Sequence, residues 1–266
     1  MQHGPPLLPR VELPVKGTLR LDMMSDLHVG HPACNMEKIS QDLRAIQADN
    51  SRYLMLNGDL LNLDTKLQKH DGVFRAKMSG DDALDWLENA LEPLADAGKI
   101  IAVTGGNHDH RGSAQIGVDP IRQLCSRLRI NKAYLPHGGF VWTRHGTASG
   151  SHDREGLPRG IEYVGFLSHG TGNAGTSASA ERVTRTFQAD WYGLGHTHTP
   201  LATSEICYSV YPQTGSVVAK VKRLGVGGGY LDYADYALEK RMVPRPMGMT
   251  SFLLEDGTKS VQVLLP

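Results

Sequence analysis

The chain has 266 residues, enough for one large domain or two small ones, and Lys plus Arg and Asp plus Glu both number 28, so its formal net charge is zero. That balance supplies no general attraction to nucleic acid or to an acidic membrane, although it leaves room for a local basic patch. The three cysteines, Cys34, Cys125 and Cys207, are odd in number, widely spaced and without metal-type spacing, which excludes a disulfide scaffold and points to packed thiols in a reducing compartment.

Residues 1–18 carry Pro5, Pro6, Pro9 and Pro14 and read as a stiff, extended lead-in that joins the core only around Leu19; residues 19–266 read as a single domain. No apolar stretch suits a signal peptide or a membrane span, so a soluble, cytoplasmic protein without a membrane partner is expected. Leu19 to Met24 is strand-like. Asn35 to Ala48 follows as an amphipathic helix, with Asn35 as its cap and Met36, Ile39, Leu43 and Ile46 on one face. After a strand at Tyr53 to Leu56, the helix Asp81 to Ala97 starts near Asp81 or Asp82, buries Leu84, Leu87, Leu91 and Leu94, and ends at Gly98. Ile100 to Val103 completes a βαβαβ run, the pattern of a parallel sheet with helical crossovers.

Pro120 to Leu128 is a third helix, with Ile121, Leu124 and Leu128 inward. The texture then turns to β: Phe140 to Thr143, Tyr163 to Leu167, Trp191 to Leu194, Glu205 to Tyr211, Ser216 to Val221 and Phe252 to Leu254 are short strands between turn residues. Gly170 to Ala180, small and aperiodic, reads as a mobile loop. Gly225 to Gly229 lacks the Lys-Ser/Thr ending of a phosphate loop and reads as a flexible connection. Tyr230, Tyr233 and Tyr236 read as packing residues. His3, His31, His70, His110, His137, His145 and His152 belong to no motif and read as surface histidines, His31 and His110 lying nearest the motifs.

Five polar clusters each follow a strand: Asp26-Leu27-His28, Gly58-Asp59, Gly106-Asn107-His108-Asp109, Ser168-His169-Gly170 and Gly195-His196-Thr197-His198. In an open, mainly parallel sheet the carboxyl ends of strands meet in one crevice. Imidazole and carboxylate without thiolate suit manganese, iron, zinc, nickel or magnesium. Asp26, His28, Asp59, Asn107, His169, His196 and His198 are more candidate ligands than one tetrahedral ion needs. Two divalent ions sharing Asp59, whose two oxygens can span ions about 3.5–4 Å apart, account for the number.

Asp-x-His, Gly-Asp, Gly-Asn-His-Asp, a lone His and Gly-His-x-His, in this order over residues 21 to 199, resemble the calcineurin-like metallophosphoesterases. The resemblance implies an α/β sandwich of two mixed sheets packed face to face and flanked by helices, a four-layer αββα arrangement. It also implies that Asp26, His28 and His198 serve one ion, Asn107, His169 and His196 the other, and Asp59 both, with manganese the first choice of metal. The implied activity is phosphoester hydrolysis by a metal-activated hydroxide, with a phosphodiester or phosphomonoester of nucleotide type as substrate. His108, beside a ligand and not itself one, is the implied proton donor to the leaving oxygen, at an imidazole pKa suited to neutral pH. Asp109 and Arg111 are grouped with it as candidate catalytic residues, Arg111 as a fork-shaped donor to phosphate.

Departures narrow the substrate. Protein Ser/Thr phosphatases carry Gly-Asp-x-x-Asp-Arg-Gly and Gly-Asn-His-Glu, whereas this chain has Gly58-Asp59-Leu60-Leu61-Asn62-Leu63-Asp64 and Gly106-Asn107-His108-Asp109. These look closer to the branch containing DNA repair nucleases, which makes a nuclease the alternative and nucleic acid a candidate partner. The compact layout also resembles uncharacterised bacterial and phage phosphoesterases. A third reading is a non-catalytic scaffold, but such members lack the acid histidine or several ligands, and this chain lacks none. The oligomeric state stays open.

Overall fold

The structure, a computed structural model, describes residues 4–63, 76–146, 160–170, 177–233 and 243–266. In chain order its strands are β1 (Val11–Glu12), β2 (Leu19–Met24), β3 (Arg52–Asn57), β4 (Ile100–Thr104), β5 (Tyr134–Leu135), β6 (Gly139–His145), β7 (Ile161–Ser168), β8 (Trp191–Leu194), β9 (Leu201–Tyr211), β10 (Ser216–Val226), β11 (Thr250–Leu254) and β12 (Val261–Leu264). The helices are α1 (Met36–Ala48), α2 (Gly80–Asp96), α3 (Asn107–Ile116), α4 (Pro120–Arg127) and α5 (Ser177–Thr186). One sheet has the order β12-β11-β2-β3-β4-β5 and the other β1-β6-β7-β8-β10-β9. Both are mixed: β2, β3, β4 and β5 run parallel in the first, and β7, β8 and β10 in the second.

Burial shows how the layers stack. Leu21, Met23, Met55 and Phe252 of the first sheet share a core with Val141, Tyr163, Leu167 and Trp191 of the second, so the sheets face each other. Met24, Leu54, Leu56 and Val103 point the other way, onto Ile39, Leu43 and Ile46 of α1, Leu84, Leu87 and Leu91 of α2 and Ile121 and Leu124 of α4. Strands buried on both faces have no polar side to show, which is why β3 and β4 read as continuous apolar runs. Phe166, Tyr192, Leu194 and Leu224, on the outer face of the second sheet, pack with Val183 of α5 and with Phe187 just beyond it. The order is helix, sheet, sheet, helix. Each fully buried leucine of these layers contributes about 2 kcal/mol relative to exposure.

Local chemistry sets the helix ends. Asn35 caps α1 by accepting the Lys38 amide at 2.8 Å. At α2 the cap is Ser79, with Asp81 and Asp82 in the first turn: Ser79 Oγ accepts the Asp82 amide while the Asp82 carboxylate reaches back to the Ser79 amide, a reciprocal capping box.

Four expectations need correcting. The proline-rich lead-in joins the core well before Leu19, since Leu8, Leu13 and Val15 are buried and β1 pairs with β6. Gly225 and Val226 finish β10 and Gly227 to Gly229 are buried, so this run is a packed segment rather than a flexible connection. Ser177 to Ala180 open α5 and are helical; 171–176 lie outside the described residues. His145 is 2% exposed, stacked on Tyr163 with Nε2 at 3.0 Å from the Leu254 carbonyl, and is a core histidine. His3, His70, His152 and Tyr236 also lie outside the described residues. Tyr230 packs as expected, fully buried with its hydroxyl donating to Asp42 at 2.9 Å.

All three cysteines are unpaired. Burial pushes the Cys34 and Cys125 thiols up to about 12, while Cys207 lies partly exposed on β9. Alkylation of the native protein near pH 8 should therefore label Cys207 alone, with the other two reacting only after unfolding. Mass spectrometry of the labelled peptides checks this.

Candidate metal centre

The site forms where the two sheets present their strand ends to each other. Asp26 and His28 follow β2, Asp59 follows β3 and Asn107 and His108 follow β4, while His169 follows β7 and His196 and His198 follow β8. Backbone bonds fasten the loops together: Asp26 N–H donates to Gly58 O at 3.0 Å, His28 N–H to Asp59 O at 2.9 Å, Gly195 N–H to His169 O at 3.1 Å and Tyr230 N–H to Asp26 O at 3.0 Å. Across the sheets, the Asn57 amide donates to the Ser168 carbonyl at 3.1 Å.

The loops hold unusual backbone geometry. Asp26 (φ 56°), His28 (48°), Asp59 (50°), His196 (74°) and His198 (51°) all lie in the left-handed region, which among the other described non-glycine residues is shared only by Arg129. Each costs of order 1 kcal/mol and persists only where the surroundings impose it. The strain coincides with the residues the sequence motifs single out.

Side chains converge accordingly. His28 Nε2 and His198 Nε2 are 3.1 Å apart, and His198 Nε2 is 3.2 Å from Asp26 Oδ1. His169 Nε2 is 3.1 Å from Asp59 Oδ2 and 3.8 Å from Asp26 Oδ1, and His28 Nε2 is 3.9 Å from Asp59 Oδ2. Donor atoms of Asp26, His28 and His198 lie within 4.8 Å of one another, as do those of Asp59, His169 and His196, and those of His28, Asp59 and His108. Several donors nevertheless lack a partner: His28 Nδ1, His169 Nε2 and His196 Nδ1 are buried without a hydrogen bond among the described residues. A buried polar atom left unpaired costs about 1–3 kcal/mol, so His169 Nε2, unpaired beside the Asp26 and Asp59 carboxylates, fits a divalent cation.

Electrostatics agree with that fit. Burial opposes ionisation of Asp26 and Asp59, yet the imidazoles around them outweigh it and hold both carboxyls well below the usual range. Burial likewise opposes charge on His169 and His198, but the Asp26 and Asp59 carboxylates win and raise both, His169 to about 9. His28 is driven well below its ordinary value by burial and by the neighbouring His198. The cluster demands positive charge at its centre and gathers protons to supply it.

Neighbouring groups aim the ligands. His169 Nδ1 donates to the Asn57 carbonyl at 2.8 Å, which fixes the ring and turns Nε2 inward toward Asp59 and Asp26. Asp59 Oδ1 accepts the His108 amide at 2.7 Å. Asp109, grouped with His108 as a catalytic candidate, is fully buried and accepts the amides of Leu60, Leu61 and Gly106 at 3.3, 2.9 and 2.8 Å; it positions two motif loops. Burial pushes its carboxyl up to about 7. Arg111, expected to wait for phosphate, is turned onto His108, its Nη1 2.8 Å from Nδ1. Asn107 opens α3 at the rim, is exposed, and makes no side-chain hydrogen bond among the described residues. His31 lies next to His28, ring centroids 6.5 Å apart, whereas His110 approaches the Pro136 carbonyl.

Two residues escaped the sequence reading. Asn62 lies 3.0 Å from His108 Nδ1. Asn57 supports His169 through its backbone carbonyl, which no residue type signals, while its side-chain amide ties the loop to the Ser168 carbonyl.

Gly106 has no room for a side chain: a Cβ there would fall 2.2 Å from both the amide nitrogen and Oδ1 of Asp59. Gly106→Ala should cost about 1–3 kcal/mol as overpacking. A calorimetric scan should show a lowered Tm, and titration a weakened metal affinity, because the carboxylate itself must move.

Among solved structures the chain is similar to a predicted phosphoesterase from Streptococcus pneumoniae, at 12% identity over 94% of this chain and 91% of that one, with a TM-score of 0.39. It is also similar to Vacuolar Protein Sorting 29 from Cryptosporidium parvum, at 12% identity over 94% and 98% with a TM-score of 0.40, and to a metallophosphoesterase from Sphaerobacter thermophilus, at 14% over 90% and 84% with 0.37. Likeness at that level carries nothing about activity. No curated protein matches significantly. The family profile of the calcineurin-like phosphoesterases matches residues 19–200, which span β2 to the loop after β8 and every cluster described above. With more than half of its length matched, the chain belongs to the calcineurin-like phosphoesterase family.

Proposed function

We propose that the protein is a phosphoester hydrolase whose centre holds two divalent ions, manganese first among the candidates, and acts on a phosphomonoester or phosphodiester of nucleotide type. The observation that carries this reading is the position of Asp59, with His169 Nε2 at 3.1 Å and His28 Nε2 at 3.9 Å from the same carboxylate oxygen. In this reading Asp26, His28 and His198 hold one ion, His169, His196 and Asn107 the other, and Asp59 both. When bound, the ions supply Lewis acidity toward phosphoryl oxygens and lower the pKa of water.

The chain itself supplies the proton. A guanidinium only donates, so with Arg111 bonded to His108 Nδ1 the ring proton resides on Nε2, the nitrogen left for a leaving oxygen. Asn62 Oδ1 lies 3.0 Å from the same ring nitrogen and packs against that edge of the imidazole. Arg111 thus sets the tautomer, and Arg111 and Asn62 together hold the ring orientation. No helix among the described residues is long and apolar enough to cross a membrane, and the unpaired cysteines support work in the reducing cytoplasm.

The test is hydrolysis of p-nitrophenyl phosphate beside bis-p-nitrophenyl phosphate by metal-stripped protein reloaded with manganese. Turnover that appears on reloading and disappears with chelator is expected. Preference for the diester directs the search to nucleic acids and cyclic nucleotides. Two tightly bound ions with no turnover on either ester would overturn the reading in favour of a scaffold.

A further inference from the structure

The β9–β10 hairpin outruns its sheet. β8 pairs with β10 only over Arg223 to Val226, whereas β9 pairs with β10 along its whole length from Ser216. Ser216 to Lys222 and their partners Glu205 to Tyr211 therefore form a two-stranded arm with roughly 20 Å of ladder. It points away from the metal centre, since β10 approaches that centre with its carboxyl end. An isolated two-stranded ribbon is marginal in water.

One face of the arm is apolar throughout. The register sets Val210 opposite Val217, Tyr208 opposite Ala219 and Ile206 opposite Val221, and side-chain alternation puts all six on one side. Among the five larger side chains exposure runs from 47% at Val221 to 72% at Tyr208, Ala219 is exposed as well, and the six include no charge. Glu205, Lys220 and Lys222 belong to the opposite side. On the same side Arg223 follows Val221, its Nε turned onto the Val261 carbonyl at 3.0 Å, and Gly225 then reaches the body, where a Cβ would meet Phe252 and Val263 of the first sheet. The arm thus carries the inner face of the sandwich past the end of the sheet that covers it.

We propose that this face is the contact surface between two copies of the chain, their arms packed face to face. The six side chains present on the order of 500 Å² per copy, so pairing two removes about 1,000 Å², where specific interfaces begin. A face without charge meets its own copy without like-charge repulsion, as a two-fold contact requires. Tyr208 stands beside the small Ala219, so the surface offers both a projection and a recess to its copy. Stacking two ribbons also creates the second layer that a lone ribbon lacks. The inference does not depend on the proposed activity.

Sedimentation velocity of the full chain over a concentration series tests it, with Tyr208→Asp and, separately, Val217→Lys. Both positions are exposed, and thermal melts of the variants report whether the fold is kept. A wild-type dimer that both folded variants convert to monomer, with unchanged phosphoester turnover, is expected. A monomeric wild type at every concentration overturns the proposal, whether or not it binds lipid vesicles. So does a dimer that survives both substitutions, which would use another surface.

Discussion

Asp59→Asn is expected to lower the proposed phosphoester turnover by more than about 10³-fold, a loss of about 4 kcal/mol of transition-state stabilisation, and to reduce the content of both proposed ions together. The substitution suits the purpose because Asn tolerates the left-handed conformation found here at φ 50°. It also retains an oxygen to accept the His108 amide, now held at 2.7 Å. Fold and loop geometry are therefore kept and the negative charge alone is removed, from a position 2% exposed. Without that charge, His169 Nε2 and His28 Nε2 lose the carboxylate they share. Metal analysis beside steady-state kinetics reads both effects. His198→Ala is the control, since its ring lies against Asp26 and His28, and it should deplete one ion more than the other. Equal loss of both in His198→Ala, or retention of both in Asp59→Asn, would contradict the shared role.

His108→Ala should leave metal content unchanged while cutting turnover about 10²–10³-fold, within the range for a lost general acid. The effect should be largest for alkyl esters and smallest for p-nitrophenyl esters, whose leaving group departs without a proton. The structure makes this a sharp test, because His108 also lies close enough to His28 and Asp59 to count as a ligand by distance alone. Loss of an ion in His108→Ala would make it a ligand instead. An unchanged dependence on leaving-group pKa, with metal retained, would remove it from proton transfer. Arg111→Ala and Asn62→Ala should reproduce a milder version, since they hold the ring without supplying the proton.

Much of this was legible along the chain, for a physical reason. Strands buried on both faces leave a continuous apolar run, helices against them leave a three-four period, and metal-seeking residues stand out at the ends of both. Asp26, His28, Asp59, His169, His196 and His198 could be read one by one because each sits within four residues of a strand end. The α2 start was read to within one residue, with Asp81 and Asp82 in its first turn, but its cap, Ser79, is set by the Ser79–Asp82 reciprocity. Tertiary structure alone decided the remainder. Asp109 and Arg111 look like catalytic groups in sequence, and only the fold shows Asp109 buried on the Leu60 and Leu61 amides and Arg111 in contact with His108. The glycine run at Gly227 to Gly229 suggests freedom, yet a Cβ at Gly227 would strike Ser25 and one at Gly229 would press on His198. Residue types and their order determined the family and the candidate ligands of the centre. Which polar groups turn toward that centre, and which apolar face the β9–β10 arm leaves uncovered, depended on long-range packing, which no local period encodes.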